Sequence, residues 1–264
     1  MDPITVSAPG KLILFGEHAV VYRKMAISCS VDNRTFVRLT STENNTVNIV
    51  MSVLDINQKW PIESLQNLLQ EFTEAELNDK PTAVMEKKLK YFLNIKSEIL
   101  TKKELAQVLL LFLYLGICKQ NADNGLPSLK IQCTTYLPLC SGLGSSASVS
   151  VSVSAALLQQ QGLISFPSIE DSGAYWSDED LEKINKWAFR GECIMHGNPS
   201  GIDNTVCTFG GMIAYENGKT ERLHDLQLNG LIVNSKKERS TKKMVEKVKS
   251  KIAQVSSQLT ASLS

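Results

Sequence analysis

A glycine- and serine-rich segment, Pro138 to Ala147, offers the clearest candidate chemistry in the sequence. It reads P-L-C-S-G-L-G-S-S-A and follows a predicted strand over residues 129–136. Gly142 and Gly144 permit the close backbone approach and positive φ that a cradle of N–H groups around a phosphate requires. A helix that begins near Ser145 would add its free N–H groups and positive dipole end to the same anion site. Because Gly-Ser segments are more often turns or linkers, the phosphate interpretation depends on partners elsewhere in the chain.

Three further segments concentrate the groups that such a phosphate site would need. They read S-A-P-G-K-L-I-L-F-G-E-H-A-V-V-Y over residues 7–22, G-E-C-I-M-H-G-N-P-S-G-I-D-N over 191–204, and K-K-E-R-S-T over 236–241. Transfer of a phosphoryl group requires a metal, a cation near the developing charge and a base for the attacking hydroxyl. Magnesium prefers hard oxygen ligands, which Ser145 and Glu192 could supply.

The composition sets limits on the class of protein. The 264 residues are 43% hydrophobic and 21% charged, which is typical of a globular chain, and the formal charge of +1 argues against a dedicated nucleic-acid binder. The six cysteines form no C-x-x-C pair, so we expect reduced thiols. The first residues lack a secretory signal, and the most apolar stretch, 108–117, is about half the length that a bilayer requires. We therefore expect a cytoplasmic protein with neither nucleic acid nor membrane as a partner.

The residue pattern predicts an α+β order of elements. Strands are expected at 4–7 and 11–15, separated by a turn at Ala8-Pro9-Gly10, and again at 26–40 and 45–54. Helical spacing begins near Pro61 and includes a very apolar, buried helix over 104–118. A helix over 177–196 is capped by Ser177 and ended by Gly197. A strand at 228–233 and a basic helix from Ser240 follow.

The segment 146–154 is ambiguous by periodicity. Serine alternates there with alanine or valine, which is typical of a strand, yet the following Ala-Ala-Leu-Leu-Gln-Gln-Gln favours a helix. Small side chains also suit a helix that packs closely against a sheet. The residues alone leave both alternatives open.

The sequences at 7–22, 139–147 and 196–204 together resemble the signature motifs of the GHMP family of small-molecule kinases. The forms G-E-H-A-V-V-Y and H-G-N-P-S-G-I-D resemble its mevalonate-phosphorylating branch more than its galactose or homoserine kinases. The resemblance implies the GHMP kinase fold, with an N-terminal, ribosomal-protein-like α+β domain at 1–226 and the start of a ferredoxin-like domain at 227–264. It also implies a helix from Ser146 onward, and a homodimer that uses ATP to convert mevalonate to 5-phosphomevalonate in isoprenoid and sterol precursor synthesis.

The resemblance also assigns roles to individual residues. Asp203 would be the base that faces the substrate hydroxyl, and Lys11 would lower the pKa of that hydroxyl and stabilise the transferring charge. Ser145 and Glu192 would hold Mg²⁺. Four residues would lie near the substrate: Glu17, His18, Ser200 and Thr241. The ATP phosphates would be wrapped by Pro138, Ser141, Gly142, Leu143, Gly144, Ser145, Ser146 and Ala147.

The sequence departs from the family pattern in two places. Arg23 and Met25 occupy positions where the family usually has glycine and proline, so the turn after the first motif must be built differently. A third, C-terminal glycine-rich motif does not occur among the 264 residues. We therefore expect an incomplete second domain, with an uncovered apolar strand at 228–233 and a phosphate site that lacks one wall.

These departures leave two alternatives open. The chain could be a catalytically weak or silent GHMP protein that acts as a binding or regulatory module. It could also be a different GHMP kinase, such as a phosphomevalonate kinase. The second alternative draws on the basic run at 236–251, where eight Lys or Arg residues stand against two Glu.

Overall fold

A mixed sheet backed by helices dominates the computed structural model, which describes residues 2–17, 22, 24–121, 125–138, 141–170, 173–217, 219–223, 229–233, 247–248 and 250–251. The strands are β1 (Ile4–Phe15), β2 (Ala26–Ser41), β3 (Thr46–Met51), β4 (Ile56–Pro61), β5 (Leu129–Thr135), β6 (Ser168–Glu170), β7 (Gly173–Tyr175), β8 (Met212–Glu216) and β9 (Lys219–Leu223). The helices are α1 (Ile62–Gln70), α2 (Glu74–Asn78), α3 (Ala83–Phe92), α4 (Lys102–Lys119), α5 (Ser145–Gln160), α6 (Asp178–His196) and α7 (Ile202–Phe209). The α+β class predicted from the sequence is confirmed.

The main sheet is organised around the long strand β2. The strand order is β4-β3-β5-β2-β8-β9, and β1 also pairs with β2. Pairing is antiparallel except between β3 and β5. Along β2, Thr35, Val37 and Leu39 are buried while Phe36 and Arg38 are exposed. This period-2 pattern turns one face of the sheet toward the helices.

Helices α4 and α5 form the centre of the core. Thr101 and Glu104 start α4 with a capping box, and residues 106–118 are all buried, as the apolar sequence predicted. In α5, residues 147–158 are likewise all buried. The alternation of serine with small residues is therefore helical, and the strand alternative is wrong. Ser148 donates its hydroxyl to the carbonyl of Ala8 at 2.8 Å, which links the helix to β1.

The predicted turn at residues 8–10 is wrong in an informative way. β1 runs unbroken from Ile4 to Phe15, and the register shifts between Pro9 and Gly10. A proline followed by glycine is typical of a turn, but here Pro9 pairs with Arg34 and Gly10 with Val31, so the extra residues, Asp32 and Asn33, form a bulge in β2 while β1 continues. Gly10 lies so close to the loop after β5 that a Cβ there would lie 2.8 Å from the carbonyl oxygen of Leu143.

The second half of the chain confirms some expectations and corrects others. Helix α6 is capped by Ser177, and Gly197 follows its last residue with a φ of 73°. Helix α7 and strands β8 and β9 were not predicted. The described residues 229–233 form no strand, contrary to expectation, and Leu231 and Val233 are 90% and 76% exposed. Of the expected helix from Ser240, the residues 247–248 and 250–251 are described, and they are helical.

None of the described helices is both long enough and apolar enough to span a membrane.

Candidate active site

The predicted phosphate loop leads directly into the N-terminus of α5. Gly144 precedes the helix in a left-handed conformation, with a φ of 65°. Because glycine has no side chain that could cap the helix, the first-turn N–H groups stay available to an anion. Ser141 closes the loop by donating its hydroxyl to the carbonyl of Pro138 at 2.8 Å. Leu139 and Cys140, which complete the predicted segment, lie outside the described residues.

Lys11 joins this loop to the carboxylate expected to act as the base. Its backbone N–H donates to the carbonyl of Leu143 at 2.9 Å, directly after Gly10. The aliphatic part of its side chain crosses Gly144, where a Cβ would lie 2.6 Å from Cγ of Lys11. Its Nζ then reaches Oδ1 of Asp203 at 3.0 Å. The side chain of Lys11 is 8% exposed and that of Asp203 34%, so the ammonium is buried while its partner faces open space.

Asp203 occupies the first turn of α7. Gly201 precedes this helix with a φ of 86°. Ser200, expected near the substrate, uses its hydroxyl to accept the N–H of Ile202 at 3.4 Å. The N-termini of α5 and α7 and the middle of β1 therefore converge on the Lys11–Asp203 pair.

Glu192 is buried beside the same helix terminus. It is 1% exposed, and Gly191 before it allows α6 to approach α5, since a Cβ there would lie 2.9 Å from Oγ of Ser150. Its Oε2 accepts the hydroxyl of Ser146 at 3.2 Å and its Oε1 that of Ser150 at 3.4 Å. Burial, reinforced by the negative charge of Asp203, raises the pKa of Glu192 to about 8. A cation bound beside this carboxylate, in addition to Lys11, would favour its ionised form and lower its pKa.

The residues present fit a magnesium ion bound together with a nucleotide. Mg²⁺ in such sites takes one or two carboxylates and completes its shell with phosphate oxygens and water. Glu192 supplies a buried carboxylate whose ionised form is disfavoured by burial and by Asp203, and the hydroxyl of Ser146, in the first turn of α5, lies beside it. Among the described residues there is no group of three or more His, Cys, Asp and Glu that would hold a metal alone. The donor set therefore matches an ion shared with phosphates better than a metal enclosed by protein ligands.

Sequence reasoning missed His196. Its Nε2 lies 3.2 Å from Oγ of Ser146 and 3.5 Å from Oε2 of Glu192. The Glu-x-x-x-His spacing was the available signal, because residues four apart lie on one face of a helix. Partial burial lowers the pKa of His196, with Asp203 opposing this effect and Lys11 adding to it.

The remaining predicted site residues are placed only in part. Glu17 is exposed just after β1. His18, Arg23 and Thr241 lie outside the described residues, so His18 and Thr241 stay predictions. Met25, the other departure from the family pattern, is 52% exposed before β2.

Comparison with known proteins connects this site to a family. The sequence profile of the GHMP kinases N terminal domain matches residues 103–211, which include the glycine loop, Glu192 and Asp203. Mevalonate kinase of Homo sapiens is 41% identical over 253 residues, which cover 95% of this chain and 63% of that protein. Mevalonate kinase of Arabidopsis thaliana is 35% identical, over 93% of this chain and 66% of that protein. The chain thus spans less than two thirds of the length of these relatives.

Solved structures agree at the level of the fold. The L. major mevalonate kinase in complex with R-mevalonate superposes with a TM-score of 0.54 and 23% identity, over 98% of this chain and 64% of that one. The Methanococcus jannaschii mevalonate kinase gives a TM-score of 0.53 at 20% identity, over 84% of this chain and 56% of that one. The GHMP kinase fold expected from the sequence is confirmed.

Proposed function

We propose that the chain is a member of the GHMP kinase family and that it uses ATP to phosphorylate the primary hydroxyl of mevalonate, giving 5-phosphomevalonate and ADP. The product would serve isoprenoid and sterol precursor synthesis. The observation that carries the proposal is the Lys11–Asp203 pair, whose 3.0 Å contact lies at the N-terminus of the glycine-preceded helix α5.

The geometry supports a direct transfer. The substrate hydroxyl loses its proton to a carboxylate oxygen of Asp203 while its oxygen forms a bond to the γ-phosphorus of ATP. The bond from that phosphorus to the β–γ bridging oxygen breaks, and ADP leaves. The ammonium of Lys11 lowers the pKa of the hydroxyl and offsets negative charge as it develops. The first-turn N–H groups of α5 hold phosphate oxygens in place.

Glu192 and Ser145 are proposed to hold Mg²⁺, and Ser146 contacts the same carboxylate. When bound, the ion would neutralise the phosphate oxygens of the nucleotide. On the nucleotide side, the wrapping of ATP phosphates by residues 138 and 141–147 remains a proposal, supported by the position of this segment against Lys11.

The substrate side and the wider organisation are proposals as well. Glu17 follows β1, which carries Lys11. Ser200 precedes α7, which carries Asp203. His18 and Thr241 join them from the motif resemblance alone. A domain boundary near residue 226, a homodimer and a cytoplasmic location are proposed on the same basis.

The test is an ADP-release assay on the 264-residue chain with mevalonate, phosphomevalonate, galactose and homoserine as separate acceptors. We expect release with mevalonate. Release with phosphomevalonate instead would show that the substrate assignment is wrong. Calorimetric binding of Mg-ATP and mevalonate with no turnover would favour the binding-module alternative, which is motivated by the third glycine-rich motif that does not occur among the 264 residues.

Substitution of the base tests the mechanism. Asp203→Asn should lower the turnover number by roughly 10²–10⁴-fold, because a positioned base contributes about that much. Asp55→Asn is the matched control, since Asp55 is a fully exposed carboxylate paired with Lys103 at 2.9 Å. Both variants should keep the unfolding transition of the parent chain. If Asp203→Asn turned over like Asp55→Asn, Asp203 would lose its proposed role.

A further inference from the structure

Three polar side chains form a closed triangle at the start of α5. The Oγ atom of Ser146 lies 3.2 Å from both Oε2 of Glu192 and Nε2 of His196, and the latter two atoms are 3.5 Å apart. Ser146 has a single hydroxyl proton, so it donates to one partner and accepts from the other. When Glu192 is ionised, the hydroxyl donates to the carboxylate and the imidazole must donate to the hydroxyl. The ring can also accept in its other tautomer, so it suits either protonation state of Glu192.

His196 occupies the solvent side of this triangle. It is the last residue of α6, and Gly197 turns the chain away immediately after it. Its side chain is 53% exposed, whereas that of Glu192, one helical turn earlier, is 1% exposed. The imidazole therefore lies between the buried carboxylate and the open space in front of the α5 N-terminus. It touches neither Lys11 nor Asp203 through any described hydrogen bond.

We propose that His196 is a positioning residue, whose Nε2 holds the hydroxyl of Ser146 and the carboxylate of Glu192 in one orientation, ready to receive a divalent cation with its nucleotide. This inference rests on the proposed function, because it takes Glu192 as a metal ligand. Freely rotating ligands lose entropy when a metal binds, and a partner that has already fixed them reduces that loss. Partners that orient metal ligands are typically worth about 10- to 100-fold in metal affinity.

A purely structural role makes a different prediction. A histidine in the last turn of a helix also stabilises the helix dipole, and its loss then lowers the free energy of unfolding. Such a role would leave the affinity for a metal unchanged once the protein is folded. The two roles are separated by measuring metal binding and stability on the same variants.

The experiment uses Mn²⁺ with ADP as the probe, because Mn²⁺ is paramagnetic and ADP does not turn over. Binding of Mn²⁺ to the 264-residue chain is followed by electron paramagnetic resonance at saturating ADP. His196→Ala should weaken Mn²⁺ binding by about 10- to 100-fold. His196→Gln should recover most of that loss, because the amide carries both a donor and an acceptor. Lys186→Ala, a change at an exposed side chain of the same helix, should bind like the parent.

The outcomes separate this inference from the proposed function. Unchanged Mn²⁺ affinity in His196→Ala overturns the positioning role, as does a Gln variant as weak as the Ala variant. Failure of the parent chain to bind Mn²⁺ with ADP overturns both the metal assignment and the inference. If the parent binds Mn²⁺ with ADP, the Ala variant binds weakly and mevalonate is not phosphorylated, the proposed function fails while the role of His196 stands.

Discussion

The crossing of Lys11 over Gly144 makes that glycine a sharp test of how the site is assembled. In Gly144→Ala the new Cβ would lie 2.6 Å from Cγ of Lys11, at a φ of 65°. Gly162 provides a matched control, because it has a φ of 67° near the other end of the same helix and nothing within 4 Å of an added Cβ. Both substitutions therefore carry the left-handed strain, and only one of them displaces the lysine.

The expected losses of stability follow from the left-handed backbone strain and from the contact with Lys11. Left-handed backbone costs alanine about 1–2 kcal/mol, so Gly162→Ala should lower the free energy of unfolding by about that amount. Overpacking of a filled site adds about 1–3 kcal/mol, so Gly144→Ala should lose about 2–5 kcal/mol. A displacement of about 1 Å in a catalytic group can cost about 10²-fold in rate, and we expect a loss of that order for Gly144→Ala alone.

Urea unfolding supplies the two free energies, and ADP release under conditions where both variants are folded supplies the rates. Calorimetric titration with Mg-ATP then shows whether the phosphate loop still binds its nucleotide. Equal midpoints and equal rates in the two alanine variants would mean that the Lys11 side chain moves aside without cost. In that case the contact at Gly144 would not set the position of the ammonium.

Three further predictions concern the buried polar groups. The free energy of unfolding should fall as the pH rises from about 4.5 to about 8, because native Glu192 keeps a proton that the unfolded chain releases. The loss should be at most about 4–5 kcal/mol. Urea titrations of Glu192→Gln should lack this pH-dependent loss. Lys11→Met removes the cation beside Asp203 while keeping a side chain of similar length, so the rate of ADP release should fall by at least roughly 10²-fold. The free energy of unfolding should change by no more than about 1 kcal/mol, because Asp203 is partly exposed. Ser148→Ala should cost about 0.5–1.5 kcal/mol, the net contribution of the hydrogen bond to the carbonyl of Ala8 that it removes. Ser154→Ala, whose buried hydroxyl has no partner among the described residues, should be neutral or stabilising in the same urea titration.

Local signals were sufficient for the elements with strong caps or long apolar runs. Ser177 and Gly197 marked the ends of α6 correctly, and the apolar run over 104–118 located α4, which spans Lys102–Lys119. Local signals failed where the outcome depends on tertiary contacts. β1 continues through Pro9-Gly10 because β2 pairs with it on both sides and bulges at Asp32 and Asn33, and no short-range pattern contains that information.

The site was predictable through motifs, and its internal geometry was not. The glycine loop, Lys11, Glu192 and Asp203 were identified from the sequence, but their chemical relation depends on which helix face each occupies. Successive helical residues differ by about 100° in direction. That rotation decides that Ser146 contacts Glu192, and a reading of motifs could not have supplied it. His196 was missed for the same reason, since it becomes meaningful only when α6 lies against α5.

Close backbone approach explains how charges from distant parts of the chain come to share one site. A Cβ at Gly10 would meet the carbonyl of Leu143, one at Gly144 would meet Lys11, and one at Gly191 would meet Ser150. The first two positions place Lys11 at the N-terminus of α5, and the third places Glu192 there. A methyl group at Gly191 should therefore separate Glu192 from the hydroxyls of Ser150 and Ser146, which lower its pKa. The pKa of Glu192 should rise in response, even though Gly191 itself carries no charge, and the pH dependence of urea unfolding measures that change.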